Sequence, residues 1–425
     1  MEVRKRHVGE ESSPSKVANV NANEKANGLK YKYSIQWHLI LSFSLIWISL
    51  IHYYERIVPY STLEKCLWSN WEDWPMDRHP HRIALIADPQ IIDDYSYPKQ
   101  FKVLNFIVKQ ISDNYLHRNF QVMQQVLDPD TTIFLGDLFD GGRYWDDAKW
   151  IPEFHRFNRV FPARTDRRDI RSIPGNHDIG FQTIKRDVVD RFAKYHGKSN
   201  DYITLGNHTV IMFDSISYSH ADPEISKDAK QFIDTINQEI SHDLPRILLT
   251  HVPLYRFKEI QLCGPHRESK KLFPIMYGDE YQTVIAWEFS QNMLKTFQPE
   301  IIFAGDDHDY CDIIQEYEIS EGIVKQTREI AVKSAAMTSG IKHPAIQLLS
   351  LSNPEGSTGI TYKTEMCYMP APYAGIYSYI LFLLLSNSYF VYRLKSRGGR
   401  QEIFKHTLLN LIIGSVILKT YFLTI

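Results

Sequence analysis

Five short apolar runs, each closing on residue types that bind metals, recur in order along the chain. Residues 83–86 lead into Asp88-Pro89-Gln90, and residues 132–135 lead into Gly136-Asp137-Leu138-Phe139-Asp140-Gly141-Gly142-Arg143. Residues 170–174 precede Gly175-Asn176-His177-Asp178, residues 247–250 precede His251-Val252-Pro253, and residues 301–304 precede Gly305-Asp306-Asp307-His308. Runs this short and apolar predict buried strands. In α/β folds ligands collect beyond the carboxyl ends of strands. Any one of these turns alone is also what Gly, Asn and Asp make for local reasons. Five in series point to one site.

Between the runs the period changes. Phe101, Val103, Leu104, Phe106, Ile107 and Ile111 recur at helical spacing within 101–115 and predict a helix that follows the first strand and crosses to the next. Residues 184–195, 229–240 and 283–297 carry similar patterns. Such alternation predicts a sheet covered by helices. After Cys311, residues 313–319 and 327–332 alternate polar and apolar, and residues 345–350 offer a further strand. A second sheet packed on the first accommodates them, so the expected fold is α/β, a four-layer α/β/β/α sandwich. Residues 253–282 show little periodicity and read as a long substrate-binding loop beside the site.

Residues 33–54 contain no Asp, Glu, Lys or Arg and are long enough to cross a bilayer. They start too deep, and run too long, for an ordinary cleaved signal peptide, so they read as a signal anchor. Residues 1–32 are polar and carry Arg4, Lys5, Arg6, Lys16, Lys25, Lys30 and Lys32, which predicts a disordered basic tail. Residues 366–392 are again uncharged and predict a second span. The basic loop 393–405 follows, then a third span at 406–425, interrupted by Asn410 and Lys419. Positive charge stays on the cytosolic side. Both basic clusters therefore place residues 55–365 in the lumen.

Lumenal placement gives meaning to two further features. Of the four cysteines, Cys66, Cys263 and Cys311 lie between the first two spans and Cys367 at the lumenal start of the second, where disulfides persist. Three pairings are open to them, as are free buried thiols. Asn207-His208-Thr209 is an N-glycosylation acceptor, which would make the chain a glycoprotein. The net charge of −2 points to no nucleic-acid partner, and the 13% aromatic content suits a membrane-embedded chain.

The five turns resemble the motif set of the calcineurin-like metallophosphoesterases, which runs D-x-H, G-D-x-x-D, G-N-H-D, a later H, and G-H-x-H. Order and strand-end placement match throughout, while Gln90 and Asp306 stand where the family usually has histidines. The resemblance implies two divalent ions, one held by Asp88, Asp137 and His308 and the other by Asp137, Asn176 and His251. Asp137 would bridge them, Asp306 would bind through oxygen, and Gln90 would bind through its amide oxygen or orient a ligand. Such ions make water a nucleophile near neutral pH. Oxygens in place of imidazoles favour Mn²⁺ or Mg²⁺, although the usual affinity order still favours zinc. Mn²⁺ is the expected cofactor. His177 would protonate the leaving oxygen, Asp140 would orient it, and Arg143 would clamp a phosphate oxygen or make a structural ion pair. Tyr144 and Trp145 are candidates for a glycan-binding wall or for core, and Asp309 for a supporting rather than a ligating role.

Within that family the motifs most resemble the membrane-anchored branch that remodels GPI anchors, in which Gln90 and Asp306 are expected residues. That resemblance covers roughly residues 68–392 and includes the layout of a lumenal catalytic domain between terminal spans. It implies a phosphodiesterase that removes ethanolamine phosphate from a mannose of the GPI glycan. GPI lipid or GPI-anchored proteins would be the substrate, in the membrane of the endoplasmic reticulum or Golgi. Two other classes share the motifs: a lumenal metallophosphatase acting on other phosphoesters, and a non-catalytic cargo adaptor.

Overall fold

A computed structural model describes residues 35–356, 359–395 and 399–424, and the expected basic tail lies outside them. Two units result, one of residues 53–374 and one joining the described residues up to His52 to Gly375–Thr424.

The larger unit opens with β1 (His81–Ile86), β2 (Thr131–Phe134), β3 (Arg168–Ile170), β4 (Asp201–Leu205) and β5 (His208–Met212). It continues with β6 (Arg246–Leu249), a two-residue pair β7 (Tyr277–Gly278) and β8 (Tyr281–Gln282), and β9 (Ile301–Ala304). It ends with β10 (Cys311–Ser320), β11 (Ile323–Ala331), β12 (Ala345–Leu351) and β13 (Tyr362–Tyr368). The longer helices of the chain are α1 (Trp37–His52), α2 (Lys102–Val126), α3 (Asp147–Val160), α4 (Arg186–His196), α5 (Pro223–Glu239), α6 (Trp287–Phe297), α7 (Ala374–Leu394) and α8 (Arg400–Leu423).

One sheet has the order β13-β12-β1-β2-β3 and the other β10-β11-β9-β6-β5-β4. Side chains alternate along each strand, and one set meets between the sheets. Ile83, Leu85 and Ile133 from the first sheet and Met212, Ile247, Leu249, Ile301 and Phe303 from the second form a single buried cluster. The opposite set of the second sheet, Ile211, Leu248 and Ile302, packs on Ala229, Ile233, Met293 and Phe297 of α5 and α6. Behind the first sheet, Phe134 meets Phe120 of α2 and Phe157 of α3. The result is the expected helix, sheet, sheet, helix sandwich.

Several boundaries differ from the sequence reading. The strands after Cys311 do not form a sheet of their own. β11 pairs in parallel with β9, whereas β12 pairs antiparallel with β1 and is buried at every position, so each sheet takes a hairpin. Residues 366–368, read as the start of the second span, end β13, and the helix begins at Ala374. Lack of charge misled there, because an edge strand can be as uncharged as a span. The third helix starts at Arg400, so part of the expected basic loop is helical. Helix α3 escaped the sequence reading because Pro152 interrupts its pattern. Most unexpectedly, Phe101, Val103, Leu104, Phe106 and Ile107 do not face the core but are exposed.

Helical stretches Trp37–Cys66, Ala374–Leu394 and Arg400–Leu423 are each long and apolar enough to cross a membrane. Within the smaller unit, Asn410 is a buried hub. Its Oδ1 accepts from Trp47 Nε1 at 3.1 Å, and its Nδ2 donates to Ser386 Oγ at 2.8 Å and Asn387 Oδ1 at 2.9 Å. The residue that interrupts the third apolar run therefore joins all three helices, as polar groups between transmembrane helices do.

The cysteines pair as Cys66–Cys367 and Cys263–Cys311. The first closes a loop of 301 residues and ties the segment that enters the larger unit to the strand that leaves it. Replacing both Cys66 and Cys367 by Ser is expected to destabilise this unit by about 2–5 kcal/mol. Thermal unfolding in detergent checks this, and an unchanged midpoint would deny the bond a stabilising role.

Candidate functional site

The motif strands divide between the sheets, β1, β2 and β3 in one and β6 and β9 in the other, and the turns beyond them converge. Asp88, Asp137 and His251 are buried and each offers a ligand atom, all within 4.8 Å of one another. His251 Nδ1 lies 2.8 Å from the Leu135 carbonyl, which can only accept, so this nitrogen carries the proton. The Nε2 lone pair then faces Asp137 Oδ1 at 3.4 Å and Asp306 Oδ1 at 3.7 Å. His308 is held the same way, with Nδ1 3.2 Å from the Ser339 carbonyl. Asp306 N donates to Asp88 Oδ1 at 3.0 Å and His177 N to Asp137 Oδ1 at 2.8 Å.

Three buried polar atoms here lack a hydrogen-bond partner: Asp88 Oδ2, Asn176 Oδ1 and His251 Nε2. Buried polar atoms are ordinarily paired. All three carry lone pairs and sit on the motif turns that converge here, and together they offer the mixed oxygen and nitrogen donors that divalent cations take. The charges say the same. Burial, reinforced by Asp137 and Asp88 against the pull of His251, raises the Asp306 carboxyl to about 8. Burial also pushes Asp88 up, opposed by His308 and His251. Burial disfavours the charged form of His251, yet Asp137, Asp88 and Asp306 together lift it to about 9. A site that strains this hard toward protonation holds surplus negative charge, and bound cations neutralise it.

The backbone is bent to bring these groups together. Of the ten non-glycine residues with positive φ among the described residues, five are Asp88, Gln90, Asp137, Asp306 and His308. Side chains rarely adopt this region, and where they do the surroundings must hold them. Two glycines permit the approach. Any Cβ on Gly175 would collide with the Asp137 carboxylate, and one on Gly136, at φ +94°, would sit 2.6 Å from His251 Nδ1.

Beside this cluster stands His177. Its Nδ1 is 2.7 Å from the Asp140 carbonyl and 3.2 Å from Asp140 Oδ1. Burial opposes its charge, but Asp137 and the Asp140 carboxylate outweigh that and raise it to about 9. Asp140 in turn accepts from Gln90 Nε2 at 3.1 Å and from Ser96 Oγ. Burial would raise its pKa, and the bonds from His177 and Ser96 hold it below the usual range. Gln90 thus reaches the partner of His177 with its amide nitrogen. Arg143 donates to the Asn176 carbonyl at 3.3 Å, lies over the Tyr144 ring at 4.5 Å, and keeps its buried Nε unpaired. Tyr144 is exposed, whereas Trp145 packs on Phe139 in the core.

Two supporting residues were not singled out by sequence. Asp178 accepts from Leu138 N, Phe139 N and Gly175 N and so locks two motif turns together. Its position next to His177 could have flagged it. Glu280, between β7 and β8, comes from the long loop. Its carbonyl accepts from Asn176 Nδ2 at 2.9 Å, which fixes the amide and leaves Oδ1 unpaired, and its side chain accepts from Phe181 N and from both Thr183 N and Oγ. No local pattern marks it. The rest of that loop is bound to the last motif turn by Cys263–Cys311, by Arg267 on Asp307, and by Asp309, which accepts from Ser269 N at 2.9 Å and buried Lys333 Nζ at 3.1 Å. Asp309 is therefore a loop anchor. Asn207 is exposed in the turn between β4 and β5, with Nδ2 donating to the Asn353 carbonyl.

Replacing Glu280 by Gln leaves the carbonyl that holds Asn176 but weakens the side-chain clasp on the segment 181–183 that keeps this carbonyl in place. Because partners of metal ligands typically contribute 10–100-fold in affinity, calorimetric titration of metal-stripped protein with Mn²⁺ should show about tenfold weaker binding at an unchanged unfolding temperature. Unaltered affinity would mean that the side-chain clasp is not what keeps the Glu280 carbonyl on Asn176.

The chain is 48% identical over 369 residues to Cell division control protein 1 of Saccharomyces cerevisiae, covering 84% of this chain and 75% of that protein. It is 22% identical over 375 residues to Metallophosphoesterase 1 of Rattus norvegicus, covering 82% and 89%. Among solved structures, the purple acid phosphatase PPD1 from yellow lupin aligns at 13% identity with a TM-score of 0.40, covering 68% of this chain and 54% of that one. The sequence model of the calcineurin-like phosphoesterases matches residues 81–310, from the first residue of β1 through the last motif turn. The chain belongs to the calcineurin-like phosphoesterase family.

Proposed function

We propose that this protein is a phosphodiesterase that removes ethanolamine phosphate from a mannose of the GPI-anchor glycan, using two divalent ions. The observation that carries the hydrolytic part is the convergence of Asp88 Oδ2, Asn176 Oδ1 and His251 Nε2, unpaired and buried, around Asp137, with His177 alongside. Asp88, Gln90, Asp137, Asn176, His251, Asp306 and His308 are the residues we assign to the ions, with Mn²⁺ favoured by the oxygen-rich set. Bound there, the ions would activate water and neutralise phosphate charge.

The remaining work falls to side chains. His177, kept protonated by its carboxylate neighbours, gives its proton to the leaving oxygen, and Asp140 holds the ring in place. Arg143, with its Nε unpaired, is placed to bind a phosphate oxygen. The GPI substrate rests on the motif resemblance, and the terminal helices fit a lipid-linked substrate because they confine enzyme and substrate to one membrane. A lumenal catalytic unit in the endoplasmic reticulum or Golgi follows from the same reading.

His177→Ala is expected to lower kcat by about 10²–10⁴-fold while metal content stays constant. Mass spectrometry of GPI glycans from cells carrying either form at equal expression tests the substrate. Glycans that retain an ethanolamine phosphate only with the variant support the assignment and identify the mannose, whereas identical glycans remove it. A general acid must be protonated to act, so kcat should fall as pH rises through the His177 pKa. That limb lies at or below about 9, because cations beside Asp137 cancel part of its pull. A pH–rate profile that keeps this limb in His177→Ala would assign the acid elsewhere.

A further inference from the structure

Helix α2 has two unlike halves. From Ser112 to Gln124 it is buried at most positions, whereas Phe101, which precedes it, is 86% exposed, Val103 72%, Leu104 45%, Phe106 63% and Ile107 46%. Five large apolar side chains within seven residues form a patch of the kind that water-facing surfaces avoid. They point around the helix rather than along one stripe, so no single packed neighbour would cover them. Residues 95–112 contain no Asp or Glu, and Lys99, Lys102 and Lys109 are the only charges.

The larger unit itself indicates where this end of α2 lies. Glu55 Oε2 accepts from Asn114 Nδ2 at 3.0 Å and from Arg118 Nη1 at 2.6 Å. Further along both segments, Tyr60 meets Gln125 and Trp68 Nε1 donates to the Leu127 carbonyl at 2.5 Å. The entering segment and α2 therefore run the same way, and the exposed end of α2 extends past the level of Glu55. Glu55 is the first charged residue after the uncharged run 33–54, which puts it where a spanning helix leaves the hydrocarbon. The exit is at the same level, since Tyr115 donates its hydroxyl to the Pro370 carbonyl at 2.8 Å and α7 begins four residues later. From Asn114 back to Val103 the helix rises about 16 Å.

We propose that Phe101 and the first turns of α2, through Ile107, insert into the leaflet on the catalytic side, so that the catalytic unit is seated in the bilayer by its own helix as well as by its tethers. The aromatic and aliphatic side chains occupy the acyl region. The insertion lies close to the chemistry. Ser96, which bonds Asp140, is five residues from Phe101, a chain length of at most about 18 Å. The proposal rests on the terminal helices spanning a bilayer and not on which phosphodiester is cleaved.

All four cysteines are paired, so an introduced cysteine is the sole free thiol. Val103→Cys, Phe106→Cys and, as control on the exposed strand β11, Val324→Cys are spin-labelled in the full chain, reconstituted in nanodiscs of phosphatidylcholine and phosphatidylserine. Power-saturation spectroscopy then compares collisions with oxygen, which enters lipid, and with a nickel chelate, which stays in water. Oxygen collisions exceeding nickel collisions at 103 and 106, with the reverse at 324, are expected. Nickel collisions dominating at 103 and 106 would overturn the proposal. So would labels immobilised and shielded from both reagents, which would mean that protein, a second copy or another chain, covers the helix. Two independent positions keep the test decisive if one variant folds poorly.

Discussion

Negative charge gathered at the junction of two sheets is the constraint on which the rest depends. Asp88, Asp137 and Asp306 stand within reach of one imidazole, away from water, where like charges repel strongly. Apart from cations, the cluster can relieve that repulsion only by taking up protons, which is the direction in which burial drives Asp88 and Asp306. The positive-φ turns follow from the same demand. Each conformation costs on the order of 1–3 kcal/mol, so five of them at site residues persist because packing below overdetermines the strand ends. Ile133, Ile247 and Phe303, wedged between the sheets, supply that packing.

How much of this can be read from the chain depends on the range of the interaction. Each strand and its turn lie within about ten residues, so the five motifs and the metal-binding residue types were legible. The division of those strands between two sheets was not, because β11 on β9 and β12 on β1 are choices made across the fold. Glu280 and the Cys263–Cys311 staple escaped for the same reason: both act on motif turns from a loop without periodicity. The pairing of cysteines was open in the sequence and is decided by which strands lie together.

The misread elements share a cause. Hydrophobic periodicity reports that a face avoids water and is silent on what replaces the water. Residues 101–115 read as a helix covering the sheet, and residues 366–368 as membrane, yet the apolar side chains that open the first are exposed and the second belongs to a sheet edge. Asn410 is the converse case. A polar residue looked like a flaw in the third apolar run, and it is the residue that hydrogen-bonds to both neighbouring helices. In both directions, composition gives the solvent a residue prefers only when the neighbours are known.

The larger unit is fastened at its ends and open at its site. Cys66–Cys367 fastens its entry to its exit, and the buried Glu55–Arg118 pair fixes α2 to the entering segment. Breaking such a pair leaves a buried charge uncompensated, so this contact holds α2 firmly to the entering segment. With its ends fastened together, the larger unit keeps the strand that leaves it beside the segment that enters it. His177 and Arg143, meanwhile, are only half-buried, so the site is open to phosphoesters of many shapes. An open site selects little by enclosure, so the proposed preference for a lipid-linked phosphodiester rests on the spanning helices, which confine the enzyme to a membrane, and not on a closed pocket.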